Sequence, residues 1–182
     1  MENPLISIVV GHTHKSPGAM GVAPLSMTEY EYNRELSMII CDMLIDEYRC
    51  YVSFRDEIGV NAVYNELDLL KPDLSIELHF NSSAGNAHGT ECLCVDRSRD
   101  FARTVQKCLC MRLKRIGITN RGVKILQGEK DLGWHSVSRL SCPNVLVEPF
   151  FGSSPEDAQL GLDSQDDIAL ALKNAIDQYF KR

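Results

Sequence analysis

The length, composition and charge of the chain exclude several classes of protein. Its 182 residues suit one ordinary domain, and 44% hydrophobic with 24% charged residues is typical of a soluble globular protein, not of a disordered one. The net charge of −6 argues against nucleic acid as a partner. Apolar runs stay well short of the ~20 residues that a membrane-spanning helix needs.

The amino terminus and the cysteines indicate the cellular compartment in which the protein is made. The first residues, MENPLISIVVGH, contain no basic region, and the apolar run Leu5–Val10 is too short for a signal peptide. The seven cysteines include no CxxC pair, and we expect all of them to be reduced thiols. We therefore expect a protein that is made in the cytoplasm without a signal peptide.

The first 54 residues predict a strand, a long loop, a helix and a second strand. Leu5–Val10 is a short continuous apolar run of the kind found in central parallel strands. The loop at 12–28 is rich in glycine, proline, serine and threonine. From about Glu29 apolar residues recur at helical spacing, and 51–54 has the pattern of a short strand.

A second helix and a strand with a polar face follow. Apolar residues from Val60 to Leu70 have helical spacing, and Pro72 ends this helix. The strand Leu74–Phe80 alternates apolar side chains with a polar face that carries Glu77 and His79. Because a buried charge is costly unless it is paired or bound to a metal, this polar face needs a partner.

The rest of the chain continues the alternation of strands and helices. In chain order we expect a strand at 90–95, a helix at about 98–115, a short strand at 120–126, a strand at 144–150 and a helix at about 163–180. This order predicts an α/β fold in a single domain. Its central, mostly parallel, twisted sheet would have about six strands and helices on both faces.

Four polar side chains are predicted to gather at one edge of this sheet, because ligands of open α/β sheets bind beyond the carboxyl ends of the strands. His12 follows the first strand, and His79 lies near the end of a central strand. Glu148 interrupts the last strand, and Glu29 stands where the long loop meets the first helix. Two histidines and a carboxylate are the ligands of a catalytic zinc, and a further carboxylate can act as the general base.

Four segments match, in order, the motifs of one family. VVGHTH resembles a strand–Gly–His opening, and TEYEYNREL resembles a Glu-x-x-x-Asn helix start. IELHFNSS resembles a His-x-Asn strand end, and CPNVLVEPFFGSSPED resembles a proline, an apolar strand, Glu and Phe, and a turn of small residues. Over nearly its whole length the chain thus resembles the zinc-dependent N-acetylmuramoyl-L-alanine amidases of the family-3 type, and most closely their phage endolysin branch.

The resemblance implies a cofactor, a substrate and four roles. One Zn²⁺ per chain would be held by His12, Glu29 and His79, and Glu148 would be the catalytic carboxylate. The reaction would be hydrolysis of the amide bond between N-acetylmuramic acid and L-alanine in peptidoglycan. Residues 1–182 would form a single catalytic domain with no separate cell-wall-binding domain. The protein would act on the cell wall after release or delivery.

Three further residues are expected beside the metal. Glu77 lies behind His79 on the same strand face, where it supports the site or pairs with an arginine or a backbone amide. Asn81 occupies the last position of the His-x-Asn strand end. His14 stands where many family members have glycine, and it is either a ligand or substrate contact or a solvated loop residue.

Three other residues are candidates for contacts with the substrate. Lys124 ends the segment NRGVK, which resembles the border of the family's substrate groove. Lys124 and Arg139 could bind substrate carboxylates. Trp134, in a loop before the last strand, could stack on a sugar or peptide or could anchor that loop.

Two other functions fit the same residues. The chain could be another zinc amidohydrolase or carboxypeptidase that acts on a small N-acyl amino acid or peptide. It could also be a non-catalytic module that binds peptidoglycan, although such a module has no use for a general base beside an open metal site. The sequence leaves the oligomeric state open.

Overall fold

A single six-stranded sheet organises the protein. The computed structural model describes residues 2–55, 58–114 and 117–181. The strands lie in the order β2-β1-β3-β6-β4-β5 across the sheet. They are β1 (Leu5–Val10), β2 (Arg49–Phe54), β3 (Leu74–Leu78), β4 (Thr90–Cys94), β5 (Asn120–Ile125) and β6 (Asn144–Glu148).

Two of the strands run against the other four. β1 pairs in parallel with β2 and β3, and β3 pairs in parallel with β6. β4 is antiparallel to β6 and parallel to β5. The predicted mostly parallel sheet of about six strands is therefore confirmed. Because β4 and β5 are reversed, their amino ends lie at the same edge of the sheet as the carboxyl ends of the other four strands.

Helices cover both faces of the sheet, as predicted. They are α1 (Glu29–Leu44), α2 (Gly59–Leu70), α3 (Arg99–Leu113), α4 (Trp134–Val137), α5 (Pro155–Asp163) and α6 (Gln165–Phe180), with one 3₁₀ turn at Asp96–Ser98. Among the residues that the structure describes, no helix has the length and apolar character to cross a bilayer.

The two faces of the sheet have cores of different size. The larger core packs α1, α3 and α6 against residues such as Ile8 and Ile76, which are fully buried. On the opposite face, Val9 packs against Val63 and Leu67 of α2. Because strand side chains alternate between faces, the polar positions of β3 point towards α2 and away from the larger core.

The observed bounds of several strands and helices differ from those expected from the sequence. β3 and β6 end two residues earlier than predicted, which places His79 just beyond its strand and Glu148 at the end of its own. Trp134 lies in the short helix α4 and not in a loop. The predicted end of the third helix at Arg115 lies outside the described residues.

The segment before α6 forms a helix that the sequence analysis did not predict. Ser154 caps α5, because its side chain accepts a hydrogen bond from the backbone N–H of Asp157, and Pro155 occupies the first turn. The carboxylate of Asp157 accepts hydrogen bonds from the N–H of Gly89 and of Phe151, at 2.7 and 2.9 Å. α5 thereby ties the chain after β6 to the loop before β4.

Candidate metal centre

The first part of the centre is built by the loop after β1. His12 has a φ of 66°, an uncommon conformation for a residue other than glycine, and the centroid of its ring lies 5.0 Å from that of His79. Gly18 packs against this ring. A Cβ at Gly18 would lie 2.6 Å from Cδ2 of His12 and 2.7 Å from Oε2 of Glu29. The φ of Gly18 is +79°, so glycine is required here both for the backbone and for space.

The second part is the first turn of α1. Thr28 and Glu31 form a capping box, in which the side chain of Thr28 accepts from the N–H of Glu31 and the Glu31 carboxylate accepts from the N–H of Thr28. The neighbouring acid, Glu29, points into the centre instead. Asn33, one turn later, donates its side-chain N–H to the carbonyl of Glu29 at 2.9 Å and so braces this turn.

The carboxylate of Glu29 joins the two histidines. Its Oε2 lies 3.1 Å from Nε2 of His12, and its Oε1 lies 2.6 Å from Nδ1 of His79. Burial opposes ionisation of Glu29, but hydrogen bonds and charge from His12 and His79 outweigh that effect and lower its pKa to about 2. Glu29 is therefore an anion at neutral pH.

The donor set fits a divalent metal ion. One ligand atom from each of His12, Glu29 and His79 lies within 4.8 Å of the others. Neighbouring ligands of a tetrahedral zinc are ~3.4 Å apart, since each Zn–N or Zn–O bond is about 2.0–2.2 Å. Two imidazole nitrogens and one carboxylate in this spacing are the donors that zinc prefers at catalytic sites.

Glu77 lies directly behind His79. Oε1 of Glu77 is 2.8 Å from Nε2 of His79, so the carboxylate holds the ring with Nδ1 facing Glu29. Glu77 is fully buried, and Arg55 and the hydroxyl of Tyr64 both donate to it. Glu77 therefore both supports the centre and pairs with an arginine, two roles that the sequence analysis treated as alternatives.

Glu148 lies beside this cluster and is held by Asn81. The side-chain N–H of Asn81 donates to Oε2 of Glu148 at 2.7 Å. Burial raises the pKa of Glu148 to about 8; the charge of His79 opposes this shift, and the charges of Glu91 and Glu29 add to it. A carboxyl group with such a pKa can take up and release a proton near neutral pH.

Glu91 and Arg121 also belong to this region, and the sequence analysis missed both. Glu91 is the pairing partner of Glu148 across β4 and β6, and Arg121 donates to it. The rule that ligands bind beyond the carboxyl ends of strands does not predict them. These two residues lie at the amino ends of reversed strands. Arg55, by contrast, directly follows the predicted strand 51–54, and the same rule could have found it.

A cavity of about 450 Å³ lies at this edge of the sheet. Its polar part includes His12, Glu29 and His79 together with Glu148 and Asn81. Its apolar part is formed by Val60, Leu93, Leu132 and Leu146. The cavity therefore places a hydrophobic wall beside a charged centre, an arrangement that suits a ligand with both apolar and hydrogen-bonding parts.

The remaining candidates lie away from the cluster. His14 is exposed, and its ring packs near Tyr30. Lys124 and Arg139 are exposed, and neither lines the cavity. Trp134 is partly buried against Val95, Val137 and Leu146, the packing expected of an anchor. The structure thus brings together His12, Glu29, His79, Glu77, Asn81 and Glu148 from the predicted set.

Solved structures share this fold. AmiC2 of Nostoc punctiforme, an N-acetylmuramoyl-L-alanine amidase, is 19% identical, with 98% of each chain covered and a TM-score of 0.87. The catalytic domain of CwlV from Bacillus (Paenibacillus) polymyxa var. colistinus is 21% identical, with 100% of this chain and 99% of that chain covered and a TM-score of 0.85.

The catalytic domain of the endolysin CD27L, which targets Clostridia difficile, is 24% identical. The match covers 96% of this chain and 97% of that one, with a TM-score of 0.76. A comparison with curated protein sequences gave no match. Residues 6–178, nearly the whole chain, match the model of the family described as N-acetylmuramoyl-L-alanine amidase (Amidase_3). The chain belongs to the N-acetylmuramoyl-L-alanine amidase family.

Proposed function

We propose that the protein hydrolyses the amide bond between N-acetylmuramic acid and L-alanine in peptidoglycan, with one Zn²⁺ held by His12, Glu29 and His79. The observation that carries this proposal is that the three ligand residues and Glu148 line one cavity. Membership of the amidase family supports the choice of substrate.

The roles of the residues follow from their positions. Zn²⁺ bound in the cluster would supply a Lewis acid that polarises the amide carbonyl and the attacking water. Glu148 takes a proton from that water and passes it to the α-amine of L-alanine as the amide bond breaks. Asn81 keeps the carboxylate of Glu148 in place through its 2.7 Å hydrogen bond.

The apolar wall of the cavity has a matching task. The scissile amide of the substrate is flanked by the methyl groups of the lactyl ether and of L-alanine. Leu93 and Leu146 offer apolar surface to these groups, while the metal ligands and Glu148 face the amide. The orientation of the substrate thus follows from the division of the cavity into a polar and an apolar side.

The test is product analysis on purified sacculi. With one equivalent of zinc, the protein should release stem peptides that begin with an unblocked L-alanine, and mass spectrometry identifies them. Glu148→Gln, which keeps the size of the side chain, should bind zinc and release about 10²- to 10⁴-fold less peptide. Intact sacculi together with cleavage of small N-acyl amino acids would contradict the proposed substrate, and a fully active Glu148→Gln would contradict the assigned base.

A further inference from the structure

A second carboxylate faces Glu148 in the site. Glu91 and Glu148 are directly paired positions of the antiparallel strands β4 and β6. The amide nitrogen of Asn81 lies 2.7 Å from Oε1 of Glu91 and 2.7 Å from Oε2 of Glu148. One amide group therefore joins the two carboxylates, and its direction depends on both of them.

The other oxygen of Glu91 is bound by Arg121. Nε of Arg121 donates to Oε2 of Glu91 at 2.9 Å. The guanidinium of Arg121 also stacks on the ring of Phe151, 4.8 Å from its centroid. Glu91 is only 7% exposed, whereas the side chain of Arg121 is 34% exposed, so water reaches the charge pair from the side of the arginine.

The backbone is shaped to make this contact. In the register of β4 and β5, Thr90 lies opposite Asn120, but the next residue, Glu91, lies opposite Gly122. Arg121 is thus the extra residue of a β-bulge, and Gly122 after it has a φ of +82°. A bulge re-aims a side chain at the expense of regular pairing, and here it accompanies the contact between Arg121 and Glu91.

The arrangement also divides charge between the two carboxyl groups. Two neighbouring carboxylates do not ionise independently, and the cation of Arg121 is on Glu91. The charged groups that act on Glu148 are His79, Glu91 and Glu29, and the two acids disfavour its ionised form. Burial and these two acids together favour the protonated form of Glu148, which lines the cavity with His12, Glu29 and His79.

We infer that Glu91, fixed by Arg121, is a positioning residue for the hydrolysis: it holds the Asn81 amide that orients the carboxylate of Glu148. This inference rests on the proposed function, because it gives Glu91 a role in the proposed hydrolysis. Glu91 acts there through Asn81 and Glu148, not through contact with the scissile bond. A role limited to folding is the alternative, and it predicts a loss of stability without a specific loss of turnover.

The test compares Glu91→Gln with the wild type in turnover, zinc content and thermal stability. We expect kcat on muropeptides to fall about 10- to 100-fold while KM changes little and zinc stays at one per chain. Removal of the negative charge next to Glu148 should lower the pKa of Glu148. The acidic limb of the kcat/KM profile should therefore move to lower pH. Glu91→Asp, which keeps the charge but shortens the reach, should keep the wild-type limb while kcat falls.

Arg112 offers a matched control. It pairs with Asp167 through Nε at 2.7 Å, on the surface between α3 and α6. Arg112→Met should leave kcat unchanged, whereas Arg121→Met should lower it. If Glu91→Gln keeps wild-type kcat and pH profile, or loses zinc or folding together with activity, the positioning role is overturned. If the wild type releases no peptide, the proposed function itself fails, which is a separate result.

Discussion

Oε1 of Glu77 lies 2.8 Å from Nε2 of His79, on the side of the ring away from Glu29. This contact explains why the buried strand β3 carries a carboxylate two positions before an imidazole. The carboxylate accepts the Nε2 proton and so leaves Nδ1 to face the ligand cluster. Arg55 forms a salt bridge with the carboxylate of Glu77, so this buried charge is paired within the protein whether or not a metal is bound.

Glu77→Gln should weaken metal binding by about 10- to 100-fold, because the amide no longer holds the imidazole as firmly as the carboxylate does. Competition with a coloured chelator measures this affinity directly. The substitution also leaves Arg55 as a buried, unpaired cation, which costs about 3–5 kcal/mol of stability. The double variant Glu77→Gln/Arg55→Met should recover much of that stability but not the affinity; recovery of both would contradict the role given to Glu77.

His79→Ala and Glu148→Ala should separate binding from chemistry. His79→Ala removes a ligand, so both bound zinc and activity should be lost. Glu148→Ala removes only the proposed base, so zinc should remain at one per chain while turnover falls about 10²- to 10⁴-fold. Atomic absorption of the dialysed proteins, with peptide release measured in parallel, gives both quantities. Loss of zinc in Glu148→Ala would mean that this residue is a ligand.

Stability of the metal-free protein should depend on pH through Glu148. Burial raises its pKa in the folded state from 4.5 to about 8, so its contribution to stability is complete below pH 4.5 and is lost as the pH rises towards 8. Glu148→Gln carries no charge. It should therefore match the wild type near pH 4.5 and exceed its Tm by several degrees at pH 8, since ~1 kcal/mol corresponds to about 2–4 °C.

Thermal unfolding in the presence of chelator, at both pH values, checks this expectation. Glu35 lies on α1 and is exposed, so Glu35→Gln serves as the control for a simple change in net charge. A Tm difference that is the same at pH 4.5 and pH 8 for Glu148→Gln would show that burial does not penalise its ionised form.

Gly18→Ala should damage the metal centre through contact alone. The added Cβ would meet His12 and Glu29 at 2.6 and 2.7 Å, closer than such atoms approach, so one ligand must move. We expect weaker zinc binding and lower kcat. Gly117 has nearly the same φ, +83°, with no atom near the position of a Cβ. Gly117→Ala therefore reports the cost of the backbone conformation alone and should leave zinc affinity unchanged.

Much of the centre could be predicted because it obeys simple rules of position. Three of its members follow or end strands of the parallel part of the sheet, and Glu29 is marked by the helix start after the long loop. Glu91 could not be found in this way. Its strand has the same short apolar pattern whichever way it runs, and only the tertiary pairing with β6 reveals its direction.

Two other features could not be predicted from periodicity. Tyr64 fits the apolar face of α2 by spacing, and nothing in that pattern reports that its hydroxyl donates to Glu77. The break between α5 and α6 falls at Ser164, where neither proline nor glycine marks a helix end. The contact of Tyr64 joins two separate elements, and periodicity carries no information about such a contact.

The reversal of β4 and β5 affects how the substrate-facing rim can change during evolution. Ser82 lines the cavity, and the segment 83–89 that follows it enters β4 at the same edge of the sheet where β3 ends, so it does not cross the core. Insertions there would reshape the entrance while every buried side chain keeps its neighbours. A change confined to this connection would therefore alter access to the cavity without moving His12, Glu29 or Glu148.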